Sequence, residues 1–255
     1  MSVHLLHRRK AFRGGPVANP LHYWDLNNLS TSGGLEDKGS GSNDMTLQQT
    51  GVAVSSSGAP DGTDCLDLSS TDVLDTSSDF AWDGSSLTTF SISYWVRITS
   101  FAPSSNFFIS WRGGAGQNRL FQCFARNSNE ANATQVWDDT QTGASTIESS
   151  NDPDTDLTVA TWHHILITGN LDGDLKTYLD GSLVTSATVD ASSLGNLEDT
   201  STLPFSIGSA SQNKIETNTQ HRGRVWAFGI WDVELDADDA THLYNSGNGR
   251  LYADL

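Results

Sequence analysis

The sequence predicts an all-β fold: a two-sheet antiparallel β-sandwich with one short C-terminal helix. Three observations predict it, namely two Asp-Gly turn signals in one apolar stretch, one long strand with strict alternation, and a single helix signal near the end. Hydrophobic residues make up 36% of the 255 residues, and eight of them are tryptophans. That supply of apolar side chains is enough for one sizeable core, so a single main domain is expected.

The two Asp-Gly dipeptides, Asp172-Gly173 and Asp180-Gly181, lie between Thr161 and Thr188. Asp-Gly supplies the positive φ angles that tight hairpin turns need, and glycine disfavours a helix here. We therefore expect a three-strand antiparallel meander, with a longer first loop and a two-residue second turn. Its strands are predicted at about Trp162–Thr168, Leu175–Leu179 and Leu183–Thr188.

The central strand, Phe90 to Ile98, alternates apolar residues at period two, and its core-facing residues are predicted to be Phe90, Ile92, Tyr94, Val96 and Ile98. Trp95 and Arg97 then point to the opposite face. Two interpretations of Trp95 stay open: it covers the sheet beneath packed loops, or it forms part of a ligand or partner surface with Arg97. Trp137, in a short strand further on, is a second candidate for such a surface.

The other elements are shorter. Strands are predicted at Met45–Gln48, Val52–Val54 and Asp64–Leu68, and a hairpin at Asn106–Trp111 and Arg119–Arg126. Near the end, Asp236 is a good N-cap and the carboxylates of Asp238 and Asp239 favour the positive end of a helix. The buried stripe of that helix is predicted to be Ala240, Leu243 and Tyr244, with Gly247 ending it.

Residues 1–20 differ in composition from the rest and are assigned to a basic N-terminal arm, with 21–255 as the domain. The arm holds four of the 14 basic residues and no acidic one, while the remaining residues carry 10 basic and 31 acidic side chains. Gly14-Gly15-Pro16 and Asn19-Pro20 disfavour regular structure. The arm is either a disordered tail or an assembly contact, made by Leu5, Leu6, Arg8, Arg9, Lys10, Phe12 and Arg13.

Charge and composition exclude several classes of function. The net charge of −17 disfavours nucleic acid, whose phosphates would be repelled. No run of about 18 apolar residues predicts a membrane-spanning helix. Residues 1–13 lack the apolar region of a secretory signal, so synthesis in a reducing cytoplasm is expected. Cys65 and Cys123 are accordingly predicted to be reduced and structural.

An ordered set of segments resembles a known family. The entry Trp162-His163-His164 and the hairpin Lys176-x-Tyr178-x-Asp180-Gly181 look like the middle of a laminin-G-like or pentraxin-like domain of the concanavalin A-like lectin and glucanase superfamily. The other similar segments, in the family's order, are Leu21–Leu26, Phe90–Ile98, Leu203–Gly208, Gly223–Trp231 and Asp236–Gly247. The resemblance implies a jelly roll that binds carbohydrate or protein.

The resemblance also defines what this chain lacks. Retaining glucanases of the superfamily carry Glu-x-Asp-x-Glu on one strand, which sets two carboxylates about 5 Å apart. The six glutamates here lie at least 18 residues from one another, so we expect no enzyme. His163 and His164 are interpreted as packing and capping residues. Pentraxins have a disulfide at positions matched by about Ser93 and Leu166, so that bridge is absent.

Calcium sites are the remaining implication of the resemblance. The family's ligand loops correspond to Gln117-Asn118 and Ser211-Gln212-Asn213, where amides replace carboxylates. Because calcium affinity rises with ligand charge, we expect no cofactor. Asp172-Gly173-Asp174 and Trp137-Asp138-Asp139 stay open as calcium sites, although turn chemistry accounts for the first.

The predicted function is that of a non-enzymatic viral structural protein, which decorates a capsid and displays a lectin-like jelly roll on the virion surface. The expected partners are a major capsid or other virion protein, further copies in a homo-oligomer, and a glycan. A basic arm before a compact acidic body suits such docking, and jelly rolls of this family are common in phage structural proteins. The alternative is a carbohydrate-binding adhesin, or a tail- or head-fibre module that binds a receptor.

Overall fold

The computed structural model describes residues 17–47, 52–68, 72–76, 88–101, 105–112, 119–126, 132–137, 146–149, 156–195, 197, 205–209 and 220–255. Strands account for nearly all the regular structure in these ranges. They are β1 His22–Trp24, β2 Met45–Leu47, β3 Ala53–Ser55, β4 Cys65–Leu68, β5 Leu74–Thr76, β6 Thr89–Ile98, β7 Ser105–Arg112, β8 Arg119–Arg126, β9 Asn132–Trp137, β10 Thr146–Ser149, β11 Trp162–Asn170, β12 Asp174–Leu179, β13 Ser182–Leu183, β14 Val189–Asp190, β15 Phe205–Ile207 and β16 Gly223–Trp231.

These strands form two antiparallel sheets. Sheet A has the order β13-β12-β11-β6-β16-β4-β3, with β1 also paired to β16 and β14 to β12. Sheet B has the order β10-β9-β8-β7-β15-β5-β2. The predicted two-sheet sandwich is therefore confirmed, and β6 and β16 match their predicted bounds to within one residue.

The core lies between the sheets and is strongly aromatic. The predicted inward residues of β6 all belong to it, as do Leu66 and Leu68 of β4. Trp24 is fully buried, stacks parallel to Phe205 at 6.3 Å between ring centroids, and contacts Phe228 at 5.7 Å. Its indole N–H donates to the carbonyl oxygen of Asn43 at 2.9 Å, so burial leaves no polar atom of the ring unsatisfied.

A second apolar cluster covers the other face of sheet A. It joins sheet residues, among them Trp95, Leu166 and Trp226, to the C-terminal segment through Leu235 and Leu243. We call it the outer cluster. Sheet A is thus packed on both faces, and its central strands are apolar on both sides for that reason.

The helix α1, Ala237–Tyr244, contributes Ala240 and Leu243 to this outer cluster. Asp236 is its N-cap, as the sequence indicates, and also forms a capping box with Asp239. Of the predicted buried stripe, Ala240 and Leu243 are buried and Tyr244 is half-buried. The predicted stop at Gly247 is wrong, because Asn245 adopts the left-handed conformation (φ 49°) that ends the helix first. No helix in the described ranges is long and apolar enough to cross a membrane.

Two further predictions need correction. The third meander strand is only β13, and the chain then forms a 3-10 turn at Thr185–Ala187 before β14. Residues 17–20, assigned to the arm by composition, belong to the body: Val17 lies in the outer cluster, and the carbonyl oxygen of Ala18 accepts a hydrogen bond from Trp231. Residues 1–16 lie outside the described ranges.

Candidate functional site

Polar residues form a continuous row across sheet B on the face away from the core. Strand pairing aligns them in the order Thr46, Asp75, Ser206, Ser110, Gln122 and Gln135. Ser206 donates to Asp75 at 2.5 Å, and Gln122 donates to Ser110 at 3.2 Å. The four middle residues are at most 2% exposed. The row is therefore an internally hydrogen-bonded layer and presents little accessible surface to a ligand.

An accessible concavity lies instead at the edge of sheet A, beside the β12–β13 turn. This open depression has a volume of about 700 Å³. We call it the hairpin depression; its lining residues are Leu179, Asp180, Ser182, Leu183, Val184, Thr185 and Ser186. Ser182, Thr185 and Ser186 are exposed, and Leu183 is 43% exposed. The depression thus combines hydroxyl groups, one carboxylate and one exposed apolar side chain.

The turn that shapes this depression follows directly from Asp180-Gly181. Both residues have positive φ angles, 50° and 78°, and Leu179 pairs with Ser182 across them. This is the predicted two-residue turn, and the right-handed twist of the flanking strands favours it. A side chain at Gly181 would also press on Tyr244 of α1 at 3.0 Å. The turn is therefore held against the helix as well as by its own hydrogen bonds.

The Asp180 carboxylate is fixed by two groups of β11. One oxygen accepts the backbone N–H of His164 at 2.8 Å, and the other is 2.9 Å from Nδ1 of His163. The backbone N–H of Thr158 donates to Nε2 of His163 at 3.1 Å, so Nδ1 is the protonated nitrogen that donates to Asp180. The Asp180 side chain remains 33% exposed. A preorganised, partly exposed acceptor therefore belongs to a residue that lines the hairpin depression.

His164 is a buried packing residue. Its Nε2 lies 2.9 Å from the hydroxyl oxygen of Ser93, and its ring contacts Trp95 at 5.2 Å. Burial lowers the pKa of His164 to about 4, although nearby Asp180 opposes the shift. The imidazole is uncharged at neutral pH, and it reaches solvent nowhere. The interpretation of His163 and His164 as capping and packing residues is confirmed.

Charged groups of both signs act on Tyr178, which lies next to the depression. Tyr178 pairs directly with Leu183. Burial raises the pKa of Tyr178; Lys176 opposes this, whereas the carboxylates of Glu234, Asp236 and Asp239 add to it. The ammonium of Lys176 is itself bound to Glu234 at 2.7 Å.

The structure separates the residues predicted to form a ligand surface. Trp95 is only 2% exposed: its ring stacks on Tyr244 at 5.7 Å and lies against Gly249. Its assignment to an exposed surface is therefore wrong, and the covering interpretation holds. Trp137 is 6% exposed on sheet B, the opposite sheet. Arg97 is half-buried, and its Nε donates to the carbonyl oxygen of Ala160 at 3.0 Å.

Other predicted contacts fall outside the described ranges. These include the arm residues Leu5, Leu6, Arg8, Arg9, Lys10, Phe12 and Arg13, together with the calcium loops at 117–118 and 211–213 and the pair 138–139. At Asp172-Gly173, the side chain of Asn170 accepts the backbone N–H of Asp172 at 3.1 Å, as in an Asx turn. Within the described residues, no three or more His, Cys, Asp or Glu side chains are grouped to hold a metal ion.

Sequence reasoning missed the residues that line the hairpin depression beyond Asp180. It assigned Leu183 to Thr188 to a regular strand, which would have buried alternate side chains. A signal was present: Ser182, Thr185 and Ser186 flank the apolar pair Leu183-Val184 immediately after a tight turn. Such a composition is typical of an edge that is exposed to solvent.

Comparison with known proteins identifies the family and the fold to which this chain is similar. A laminin G model, described as the concanavalin A-like lectin/glucanases superfamily, matches residues 68–241. Botulinum neurotoxin type C of Clostridium botulinum C phage is 25% identical over 166 residues, which is 62% of this chain and 12% of the toxin.

Solved structures of botulinum neurotoxin binding domains share the fold. The serotype D ligand binding domain, in complex with N-acetylneuraminic acid, is 16% identical with a TM-score of 0.67, covering 89% of this chain and 50% of that one. The serotype G binding domain is 17% identical with a TM-score of 0.63 and the same coverage. This chain therefore spans about half of these solved domains. Because the family model covers most of the chain and the two-sheet sandwich agrees with it, the chain belongs to the concanavalin A-like lectin and glucanase superfamily, as a laminin-G-like jelly-roll domain.

Proposed function

We propose that this chain is a non-enzymatic recognition module that binds glycan at the hairpin depression. The observation that carries the proposal is that Asp180, whose carboxylate is held by His163 and the His164 backbone, lines one depression together with the exposed Leu183. A sugar offers hydroxyl donors and apolar C–H faces together. A preorganised carboxylate next to an apolar side chain complements both, and charge-assisted hydrogen bonds are the stronger ones.

The fold relatives support a binding role. The solved serotype D domain is described as a ligand binding domain in complex with N-acetylneuraminic acid. Glycoside hydrolysis would need a second carboxyl group about 5 to 9.5 Å from the first. The sequence lacks the paired glutamates of retaining glucanases, and Asp180 is the one carboxylate among the described residues that line the depression. Recognition without turnover is the chemistry that this arrangement suits.

The first experiment is a glycan array followed by calorimetric titration of any glycan that binds. Leu183→Ala should weaken binding about threefold to tenfold, because an apolar contact worth roughly 1 kcal/mol is lost. Since Leu183 is already 43% exposed, the melting temperature should hardly change.

The matched control is Leu47→Ala. Leu47 is 39% exposed on the edge strand β2 of sheet B, so the same atoms are removed from a similar environment elsewhere. Binding by the Leu47→Ala variant should equal that of the parent. Equal loss of affinity in both variants, or no glycan bound by the parent, would contradict the proposed site.

A second role is favoured by charge. The first 20 residues carry Arg8, Arg9, Lys10 and Arg13 and no acidic residue, whereas the rest of the chain is strongly acidic. We propose that this arm docks the module on a virion shell, as a capsid decoration protein of homo-oligomeric form that is made in the host cytoplasm. The glycan site would then face outward. Opposite charges on arm and body would also let an arm cross to a neighbouring subunit.

The test of docking is particle binding by a chain that lacks residues 1–16. Loss of attachment to purified virions, together with salt-sensitive attachment of the intact chain, is the expected result. Full occupancy by the truncated chain would contradict arm-mediated docking and would leave the glycan proposal untouched.

A further inference from the structure

The hairpin depression has a well-defined charge character. In the strands at this edge of sheet A, β11 to β13, the only lysine or arginine is Lys176. Its ammonium is bonded to Glu234 at 2.7 Å and is thus already neutralised. The next basic residue of the sheet in strand order is Arg97 on β6, whose Nε binds the carbonyl oxygen of Ala160 at 3.0 Å. The described basic side chains near this edge are therefore engaged within the chain.

Acidic groups outnumber them. Asp180 lines the depression with its side chain 33% exposed, and the carboxylates of Asp236 and Asp239, at the start of α1, act on Tyr178 opposite Leu183. The whole chain has a net charge of −17, so the local excess is not offset by a positive body. A carboxylated ligand entering the depression would meet the like charge of Asp180, and no lysine or arginine is among the described residues that line the depression.

A fixed carboxylate also determines which hydrogen-bonding group of a ligand can bind next to it. Both oxygens of Asp180 already accept one hydrogen bond each, and their remaining lone pairs can accept only from a donor. Sugar hydroxyls are such donors, whereas an ionised carboxylate is an acceptor alone. Desolvating two facing acceptors would cost affinity twice, through repulsion and through an unmade hydrogen bond.

We infer, resting on the proposed glycan binding, that the hairpin depression selects uncharged saccharides and discriminates against their sialylated forms. This ligand class differs from the N-acetylneuraminic acid named for the serotype D toxin domain. The discrimination arises from the positions of Asp180 and the acidic residues around α1, and it does not depend on which neutral sugar is preferred.

The test uses a printed array that carries neutral oligosaccharides and the sialylated counterpart of each, followed by titration of the best matched pair. At 0.05 M salt the neutral form should bind at least about tenfold more tightly. At 0.5 M salt this difference in affinity should become smaller, because screening shortens the range of the repulsion to a few ångströms.

Two variants tie the effect to this site. Asp180→Asn should reduce the difference in affinity between the neutral and the sialylated form. Ser182→Lys, at an exposed position of the lining, should abolish or reverse that difference. The matched control is Ser56→Lys, which adds the same charge at an exposed turn next to β3, on the opposite edge of sheet A. The Ser56→Lys variant should show the same difference in affinity as the parent. Ser182→Lys changes no side-chain hydrogen bond within the described residues. It therefore tests the selectivity even if Asp180→Asn fails to fold.

The outcomes separate the two proposals. Equal binding of both forms, tighter binding of the sialylated form, or equal effects of Ser182→Lys and Ser56→Lys would overturn the selectivity inference while glycan binding stands. Absence of binding to every glycan on the array would overturn the proposed function, and the selectivity inference with it.

Discussion

The indole N–H of Trp231 donates a hydrogen bond to the carbonyl oxygen of Ala18 at 2.7 Å, which joins the last strand of sheet A to the chain before the first. Val17 is buried in the outer cluster beside it. The composition boundary at residue 20 and the structural boundary therefore differ. Any dissection of the basic arm must leave Val17 and Ala18 in place.

Two truncations test this boundary. Removal of residues 1–16 should leave the free energy of unfolding unchanged within about 0.5 kcal/mol, a small surface effect. Removal of residues 1–20 should lower it by about 2 kcal/mol, since the burial of Val17 and the Trp231 hydrogen bond are both lost. Urea unfolding followed by tryptophan fluorescence measures both, and equal midpoints for the two truncations would refute the boundary at Val17.

Gly249 gives a second test, on the outer cluster. Its φ angle is +65°, and an added Cβ would lie 2.4 Å from the Trp226 ring and 2.8 Å from Nε1 of Trp95. Gly249→Ala should therefore destabilise the fold by about 2 kcal/mol or more, from backbone strain and forced movement of rigid rings. Gly62→Ala is the control, because Gly62 has a φ of +83° and open space around it. That variant should lose only about 1 kcal/mol in thermal or urea unfolding.

Acid should destabilise the protein through two buried histidines. Burial lowers the pKa of both His164 and His221 to about 4, against 6.5 for an exposed histidine. Between these values the unfolded chain binds more protons than the folded one, so stability rises with pH and is lost as the pH falls from about 6.5 towards 4.

The slope measures how many histidines contribute. Each can contribute at most about 1.4 kcal/mol per pH unit in that window. His164→Gln and His221→Gln should each remove about half of the slope in urea unfolding at pH 7, 6 and 5. A free energy of unfolding that stays constant down to pH 5 would show that these rings are accessible to protons in the folded state.

The two thiols should be inert in the folded protein. Cys65 and Cys123 are free and buried, and burial raises the pKa of their thiols to about 11 and about 12. The reactive thiolate is therefore scarce at pH 8. A colourimetric disulfide reagent should detect far less than one thiol per chain in the native protein and two in guanidinium. Rapid reaction of the native protein would indicate local opening around one of them.

We also propose that calcium has no structural role. Chelation with EDTA should then leave the melting temperature unchanged within about 1 °C. An ion present at a hundredfold its dissociation constant would add about 2.7 kcal/mol, and its removal would be plain in the same scan. A fall of several degrees would reverse the interpretation of the amides at Gln117 and Asn118.

Local chemistry explains which elements were predictable from the sequence. Strict alternation located β6, and Asp236 with Asp239 located the start of α1. The turn at Asp180 was predictable because positive φ angles demand residues of that kind. In each case the signal lies within about ten residues of the element it defines.

Elements that depend on distant partners were not predictable in this way. Strand β5 has three residues, and its buried Asp75 accepts a hydrogen bond from Ser206, 131 residues away. Alternation showed which face Trp95 occupies, but its burial depends on Tyr244 and Gly249 from the C-terminal segment. The lining of the hairpin depression was missed for a similar reason, since a 3-10 turn replaces the expected strand there.

The pairing of β1 with β16 has a consequence for biosynthesis. His22 lies opposite Ile230, so the first strand cannot be paired until more than 200 further residues have left the ribosome. Until then the ribbon of β6, β11 and β12 carries an unpaired edge and an uncovered apolar face, which is a state that invites intermolecular association. Yield in an expression host should therefore depend on chaperones that bind nascent chains, and on the speed of translation, more strongly than the stability of the finished sandwich would suggest.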